Sequence, residues 1–343
     1  MKLKKKEVFN LLYDLREVQM AETSKPEVSI IVPTYRRLGV LKNCLQAIEQ
    51  MEGEIGEILI ICRSVDDKDT HRWLVATAVE KEKWKIIDVD QPGVVHAINS
   101  GLDVATKDFI AIFDDDAVPR RNWLNLVLDQ YKDDDVGAVG GRDVVDVNGV
   151  KLDRPEVKVA GVIDFWGNLI GNHHLVVGKA RDVDALKGCN WSFRRSAIGT
   201  GRLDSRLLGM GAQFDNELLF CLNIRKAGWR IRLDPNAIVD HYPAVRHEIK
   251  RGEWTKERCF QQSCNHTMSQ FSVASTSMKL RHTFYMLAIG SRYCPGLYYM
   301  LHALLKRPKE LAGIMLGGWS GFFKGIGIAE DIKRNPSGYI REI

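Results

Sequence analysis

Short apolar runs alternate with stretches of helical spacing through the first third of the chain. Residues 28–35 (VSIIVPTY), 57–62 (EILIIC), 85–89 (KIIDV) and 108–113 (DFIAIF) have the length and β-branched content of strands. Unbroken apolar runs of this kind suit strands covered on both faces. Between them, Leu38, Leu41, Leu45, Ile48 and Met51 recur at helical spacing over residues 38–51. Residues 69–83 and 94–105 also predict helices. Four strand–helix alternations in so short a stretch predict an α/β architecture with a mostly parallel, Rossmann-like sheet flanked by helices. Ligands of such sheets sit at the carboxyl ends of the strands. The fourth run leads straight into Asp114, Asp115 and Asp116, at such an end.

The pattern then loosens. Residues 136–182 hold short β-like runs (VGAVGGRDVV, HHLVVG) separated by Gly, Asn and Asp. Residues 216–228 predict a helix closed by Gly228, since a glycine past the last turn tolerates the left-handed conformation. Residues 229–242 read as strand, turn and second short strand. Residues 253–289 read as mostly helical, and residues 283–328 are crowded with aromatic and large apolar groups. Arg281, Arg292, Lys306, Arg307, Lys309 and Lys324 punctuate that stretch. Two readings follow: helices lying in a membrane interface with basic residues at the headgroups, or a helical subdomain that packs on the sheet or builds a homodimer. The divisions are a helical lead-in over 1–25, a catalytic domain over 26–250 and a helical C-terminal region over 251–343.

Composition narrows the compartment more than the chemistry. The 343 residues carry seven cysteines, widely spaced and with no CxxC pair, which suits a reducing, cytoplasmic setting. The basic N-terminus lacks the apolar stretch of a signal peptide. No run of 18 uncharged apolar residues appears, so no spanning helix is expected. A net charge of +5, with basic residues scattered among acidic ones, argues against nucleic acid as a partner.

Three adjacent carboxylates at a buried strand end repel one another and are costly to desolvate. A hard divalent cation, Mg²⁺ or Mn²⁺, offsets that cost and joins carboxylates to substrate phosphates. Neither a GxxxxGK[ST] loop nor a GxGxxG run is present, which argues against P-loop and dinucleotide-binding readings. His173 and His174 are neighbours on a β-like run and point to opposite faces, so at most one enters a cleft. Arg194 or Arg195 could meet a phosphate. Trp166 and Trp191 could stack on sugar rings or fill core.

VSIIVPTYRR, QPGVVHAINSGL, FIAIFDDDAVP, LKGCNWSFRR and NELLFCLNIRKAGWRIRLDPNAIVDHY occur in that order over residues 27–245. Together they resemble glycosyltransferase family 2. The resemblance implies a GT-A fold and metal-dependent, inverting transfer from a UDP-, GDP- or dTDP-sugar to a glycan or lipid-linked acceptor. It further implies a role in cell-surface polysaccharide or glycolipid synthesis. The cysteines suit the cytoplasm, and the basic, aromatic C-terminal region points to a lipid-linked acceptor and a peripheral place on the inner membrane face. By the same resemblance Pro33, Thr34, Tyr35 and Arg37 border the nucleoside, and Asn99 and Gly101 lie on the helix beside it. Asp114, Asp115 and Asp116 meet ribose, diphosphate and cation. Gly188, Cys189 and Asn190 match the loop beneath donor sugar and acceptor, with Trp191 next to them as a residue that could stack on the acceptor. Glu217, or else Asp215, is the catalytic base, and His241 completes the cation shell with Asp114 and Asp116. The sequence departs from the family after the second strand, where Cys62 and Arg63 stand in place of a base-reading aspartate, leaving Asp67 to serve. A nucleotidyltransferase or a non-catalytic scaffold of the same fold is the rival reading.

Overall fold

The structure, a computed structural model, describes residues 26–147, 149–151, 155–244, 254–306 and 308–336. The lead-in read over 1–25 lies outside them. The predicted alternation is present: β1 (Val28–Pro33), α1 (Leu38–Glu49), β2 (Ile55–Cys62), α2 (Lys68–Ala78), β3 (Trp84–Asp88), α3 (Val94–Val104) and β4 (Phe109–Ile112). These four strands pair in parallel in the order β3-β2-β1-β4. Successive side chains fall on opposite faces. Ile31, Leu59, Ile61 and Ile112 therefore pack with Val95, Ile98 and Leu102 of α3. Ile30, Val32, Ile58 and Ile60 pack on the other side with Leu41, Leu45 and Ile48 of α1. Each such fully buried aliphatic contributes roughly 1.5–3 kcal/mol.

Beyond β4 come β5 (Ala117–Pro119), α4 (Trp123–Gln130), β6 (Val136–Val147), β7 (Val150–Lys151), β8 (Val162–Ile163), β9 (Leu169–Ile170) and β10 (Arg181–Val183). They are followed by β11 (Trp191–Arg194), α5 (Arg195–Ile198), α6 (Asn216–Lys226) and β12 (Arg230–His241). The sheet continues as β4-β11-β6-β12-β10. β11 runs antiparallel between β4 and β6, while β6 and β12 run parallel to each other. An antiparallel insert delivers its preceding loop to the edge where its neighbours deliver their carboxyl ends. WSFR, to which the sequence pattern assigns no element, is a central strand because Trp191 and Phe193 fill the core. Residues 229–242 form one strand with a register shift between Asp234 and Ile238 rather than two strands. Gly228 closes α6 at φ 95°, as its position predicts.

At the opposite end of the sheet, Glu57 is 1% exposed. It accepts hydrogen bonds from Ser29 Oγ (2.6 Å), Lys85 Nζ (2.6 Å), and both the amide (2.7 Å) and Oγ1 (2.9 Å) of Thr106. Burial pushes its carboxyl up, but these donors prevail and hold it at about 2, below its ordinary 4.5. Glu57→Ala is expected to cost about 2 kcal/mol in urea unfolding at neutral pH, because it strands the buried Ser29 hydroxyl and removes the shared acceptor of Lys85 and Thr106. A depressed carboxyl contributes stability above its unfolded value. That contribution should therefore vanish as pH falls from 4.5 toward 2, closing the gap between wild type and variant.

The C-terminal helices are α7 (Lys256–Val273), α8 (Thr276–Ala288), α9 (Leu297–Lys306) and α10 (Leu311–Arg334). Met268 and Ile332 join the same core as the sheet, so α7 and α10 pack on the catalytic layer. Composition predicts no spanning helix, yet α10 is, at 24 residues, long and apolar enough to cross a bilayer. Its packing gives that composition another use. Side chains at Gly317, Gly321 and Gly325 would meet the backbone oxygens of Lys256, Phe260 and Cys264 at 2.1, 2.3 and 2.6 Å. Glycine every fourth residue lets α10 lie directly against α7.

Candidate active site

A cleft of about 550 Å³ opens at the carboxyl ends of β1, β4 and β12. Pro33, Thr34, Tyr35 and Arg37 form one wall, Asp114–Asp116 and His241 its floor, and Lys187, Gly188, Cys189, Asp215 and Glu217 the other side. β5, directly after the three aspartates, pairs antiparallel with the end of β12, setting His241 opposite Ala117. That pairing brings His241 Nε2 to 3.3 Å from Asp116 Oδ1.

The three aspartates divide their work. Asp115 turns back to the β1–α1 turn, accepting from Thr34 Oγ1 at 2.8 Å and Arg37 Nη1 at 2.9 Å. Burial pushes its carboxyl up to about 7 even though Arg37 pulls the other way. Asp116 accepts the Ala244 amide at 2.8 Å, and burial of its carboxyl is outweighed by His241, that amide and Arg37, so it stays ionised. Ligand atoms of Asp114, Asp116 and His241 lie within 4.8 Å of one another. Asp116 Oδ1 is buried without a hydrogen-bond partner. Two carboxylates and an imidazole, with an orphaned oxygen among them, fit a hard divalent cation.

Asp143, on β6, passes unnoticed in the sequence. It is wholly buried and neither carboxylate oxygen has a hydrogen-bond partner. It lies 3.7 Å from His241 Nδ1 and 3.5 Å from Lys187 Nζ. Burial opposes its charge, but His241 and Lys187 keep it below the usual carboxylate range. Burial would lower His241; Cys189, Asp116 and Asp143 instead raise it to about 12, so it would hold a cation through Nε2 only on giving up that proton. Asp143, Cys189 and His241 are also close enough to hold an ion. The Lys187 ammonium beside Asp143 repels a cation there, which favours the Asp114 side.

Glu217 is half-buried in the first turn of α6 and lines the cleft. Burial pushes its carboxyl up to about 7, with Asp215 and Asp114 adding to the rise and Lys187 opposing it. A side chain at Gly188 would touch the Glu217 carboxyl at 3.6 Å. Asp215 stands at the α6 N-terminus with φ 65°, in the left-handed region. Its Oδ2 is 3.1 Å from Nδ1 of His266 on α7, and His266 Nε2 is 3.0 Å from Gln270 Nε2. Gln270 donating to Nε2 leaves Nδ1 to donate to Asp215. The C-terminal helices thus reach the cleft through His266, which nothing in the local sequence pattern marks.

Several residues read as site residues are structural. Asn190 is fully buried; its Oδ1 accepts from Trp123 Nε1 at 2.8 Å, and its Nδ2 donates to the carbonyls of Arg142 and Ala237, both at 3.1 Å. Trp191 is also fully buried, in the core against Phe193 and Phe220. Neither lines the cleft, whereas Gly188 and Cys189 do. Asn99 spends its amide on the backbone of Leu203, and Gly101 lets α3 approach Ile31. Asp67 is 6% exposed and accepts the Arg36 amide at 2.5 Å, bracing the β1–α1 turn instead of facing the cleft. Arg63 lines that wall, stacked on Tyr35 at 4.7 Å. His174 lines the cleft, while His173 is buried against the Ala185 carbonyl. Arg194 and Arg195 bind backbone carbonyls of residues 131, 136 and 107. Asn190→Ala should lower unfolding stability by about 3 kcal/mol, since it orphans the buried Trp123 N–H. Melting and urea curves check this, and any donor response should survive.

Residues 29–201 match the sequence profile of Glycosyl transferase family 2, half of the chain, and the protein belongs to that family. Pre-mycofactocin glycosyltransferase of Mycobacterium tuberculosis is 30% identical over 170 residues, covering 49% of this chain and 33% of that protein. The chain therefore spans about a third of that relative's length. A dolichyl N-acetyl-alpha-D-glucosaminyl phosphate 3-beta-D-2,3-diacetamido-2,3-dideoxy-beta-D-glucuronosyltransferase of Methanococcus voltae is 24% identical over 244 residues, covering 65% of this chain and 68% of its own. Among solved structures, S. aureus TarS residues 1–349 in complex with UDP-GlcNAc superposes with a TM-score of 0.58 at 10% identity, covering 90% and 92% of the two chains. Mannosyltransferase PcManGT from Pyrobaculum calidifontis, in complex with GDP-Man and Mn²⁺, gives 0.51 at 16% identity, covering 95% of each. The fold is GT-A.

Proposed function

We propose that the protein transfers a sugar from a nucleotide-sugar donor to an acceptor hydroxyl, with inversion at the anomeric carbon and with help from a divalent cation. The observation that carries this is the meeting of Asp114, Asp116 and His241 in the cleft that also holds Glu217. Solved relatives holding UDP-GlcNAc and GDP-Man support a UDP-, GDP- or dTDP-sugar as donor. Tyr35, Arg37 and Arg63 line the wall where the nucleoside would lie. Asp114, Asp116 and His241 would hold Mn²⁺ or Mg²⁺, which when bound supplies positive charge for the departing diphosphate. Glu217 accepts the acceptor's hydroxyl proton as its oxygen bonds to the anomeric carbon and the bond to the diphosphate breaks. A carboxyl near 7 suits a base that must be ionised yet still take a proton. The acceptor is a glycan, free or lipid-linked, in cell-surface polysaccharide or glycolipid synthesis. The seven cysteines are all free and buried, in keeping with a cytoplasmic setting.

The test is a thermal-shift screen of UDP-, GDP-, dTDP- and CMP-sugars with and without Mn²⁺. One donor should raise the melting temperature only when the cation is present. A flat response to every donor in both conditions would sink the reading.

A further inference from the structure

We propose that the outer face of α8, α9 and α10 seats the protein on an anionic phospholipid bilayer. α9 is the clearest sign. None of its residues is buried, and Leu297, Tyr298, Leu301, Leu304 and Leu305 are between 53 and 85% exposed. A ten-residue helix is too short to hold itself in water on propensity alone, so a helix with its leucines outward calls for a cover. The neighbouring helices extend the same character. Leu280, Phe284 and Leu287 are exposed at i, i+4, i+7 on α8, and Leu316 and Phe323 at i, i+7 on α10.

Charge selects the cover. Residues 276–324 contain seven Lys and Arg and one acidic residue, Glu310, for a net +6. The whole chain is +5, so the remainder is −1 and the positive excess lies entirely in this segment. Arg292, Lys306, Lys309 and Lys324 are exposed. Apolar side chains flanked by basic ones match acyl chains beneath anionic headgroups. They match a second copy poorly, because a two-fold contact sets the same positive face against itself.

The face connects to the cleft through side chains, although none of its own described residues lines it. Trp166 stacks on Phe284 with ring centroids 6.4 Å apart, and its carbonyl accepts from His282 Nδ1 at 3.0 Å. His282 lies 6.1 Å, centroid to centroid, from His266, which holds Asp215. Two histidines therefore separate the bilayer-facing surface from the carboxylates that, on the transfer reading above, meet the acceptor.

The experiment is co-sedimentation of the full chain with phosphatidylcholine vesicles, with and without roughly one phosphatidylglycerol in three lipids. Binding to the anionic vesicles should exceed that to neutral ones by at least about tenfold at about 0.1 M salt, and fall at about 0.5 M. Leu301→Asp with Leu305→Asp should reduce binding by about tenfold or more at unchanged melting temperature, both positions being exposed. A chain that stays in the supernatant with anionic vesicles, or a double variant that pellets like wild type, overturns the proposal. So does a dimer by light scattering that the double variant converts to monomer, which would assign the face to a second copy. The donor thermal shift needs no lipid, so failure here is distinct from failure of the transfer reading.

Discussion

Glu217→Gln is expected to lower kcat by about 10²- to 10⁴-fold while leaving the donor-dependent thermal shift intact. The substitution keeps the shape of the side chain and removes its ability to take a proton, the contribution a positioned base makes to the rate. The pH profile supplies a second readout. Glu217 is held at about 7, so the wild-type rate should climb with pH and level off above that value. The residual rate of the variant should lack this limb. Stability should move oppositely. A carboxyl raised from 4.5 to about 7 loses folded-state stability as pH rises through that window, and the loss persists above it. Glu217→Gln should therefore melt no lower than wild type above pH 7. Asp215→Asn separates the two carboxylates. Asp215 is engaged by His266 and carries backbone strain at φ 65°, so its loss should disturb acceptor use more than the acid limb. An acid limb that survives in Glu217→Gln and disappears in Asp215→Asn would transfer the role of base to Asp215.

Asp116→Ala should abolish the Mn²⁺-dependent donor shift and reduce turnover by about 10²- to 10³-fold, the scale of losing several kcal/mol of charge stabilisation. The carboxylate meets His241 at 3.3 Å and is placed to share a cation with Asp114. It also accepts the Ala244 amide, so some stability will be lost with it. Asp116→Asn controls for that: the amide oxygen can still accept from Ala244, but the charge is gone. Equal loss of donor response in both variants at near-wild-type melting of Asn would place the effect in the charge. A donor shift that persists in Asp116→Asn would take the cation away from this residue. Asp115→Asn should behave differently, because Asp115 faces Thr34 and Arg37 and braces the turn.

How much of this was legible in the sequence depends on how far apart the partners lie. The four parallel strands, their intervening helices and the strand-end aspartates follow from local apolar patterning, because each element's burial is written in its own residues. Gly228 is legible for the same reason: its backbone conformation is a local requirement. The order of motifs likewise sufficed for the family. Asn190 and Trp191 sit in a matching motif, yet their side chains go to Trp123 and to the core, since motif position does not say which way a strand's alternation begins. Asp67 turns away from the cleft because its carboxylate accepts the backbone amide of Arg36, 31 positions away.

What the chain determined by itself is therefore the sheet's parallel half, its carboxylate-bearing edge and the basic, apolar character of the last helices. Only the tertiary structure decided that β11 is central, that β5 pairs with β12 to bring His241 to Asp116, and that Asp143 lies buried beside His241. It alone carried His266 from α7 to Asp215. These are pairings between residues 51 to 125 positions apart. They are set by packing of whole layers, and a local pattern of polar and apolar residues holds no record of which distant groups that packing brings together.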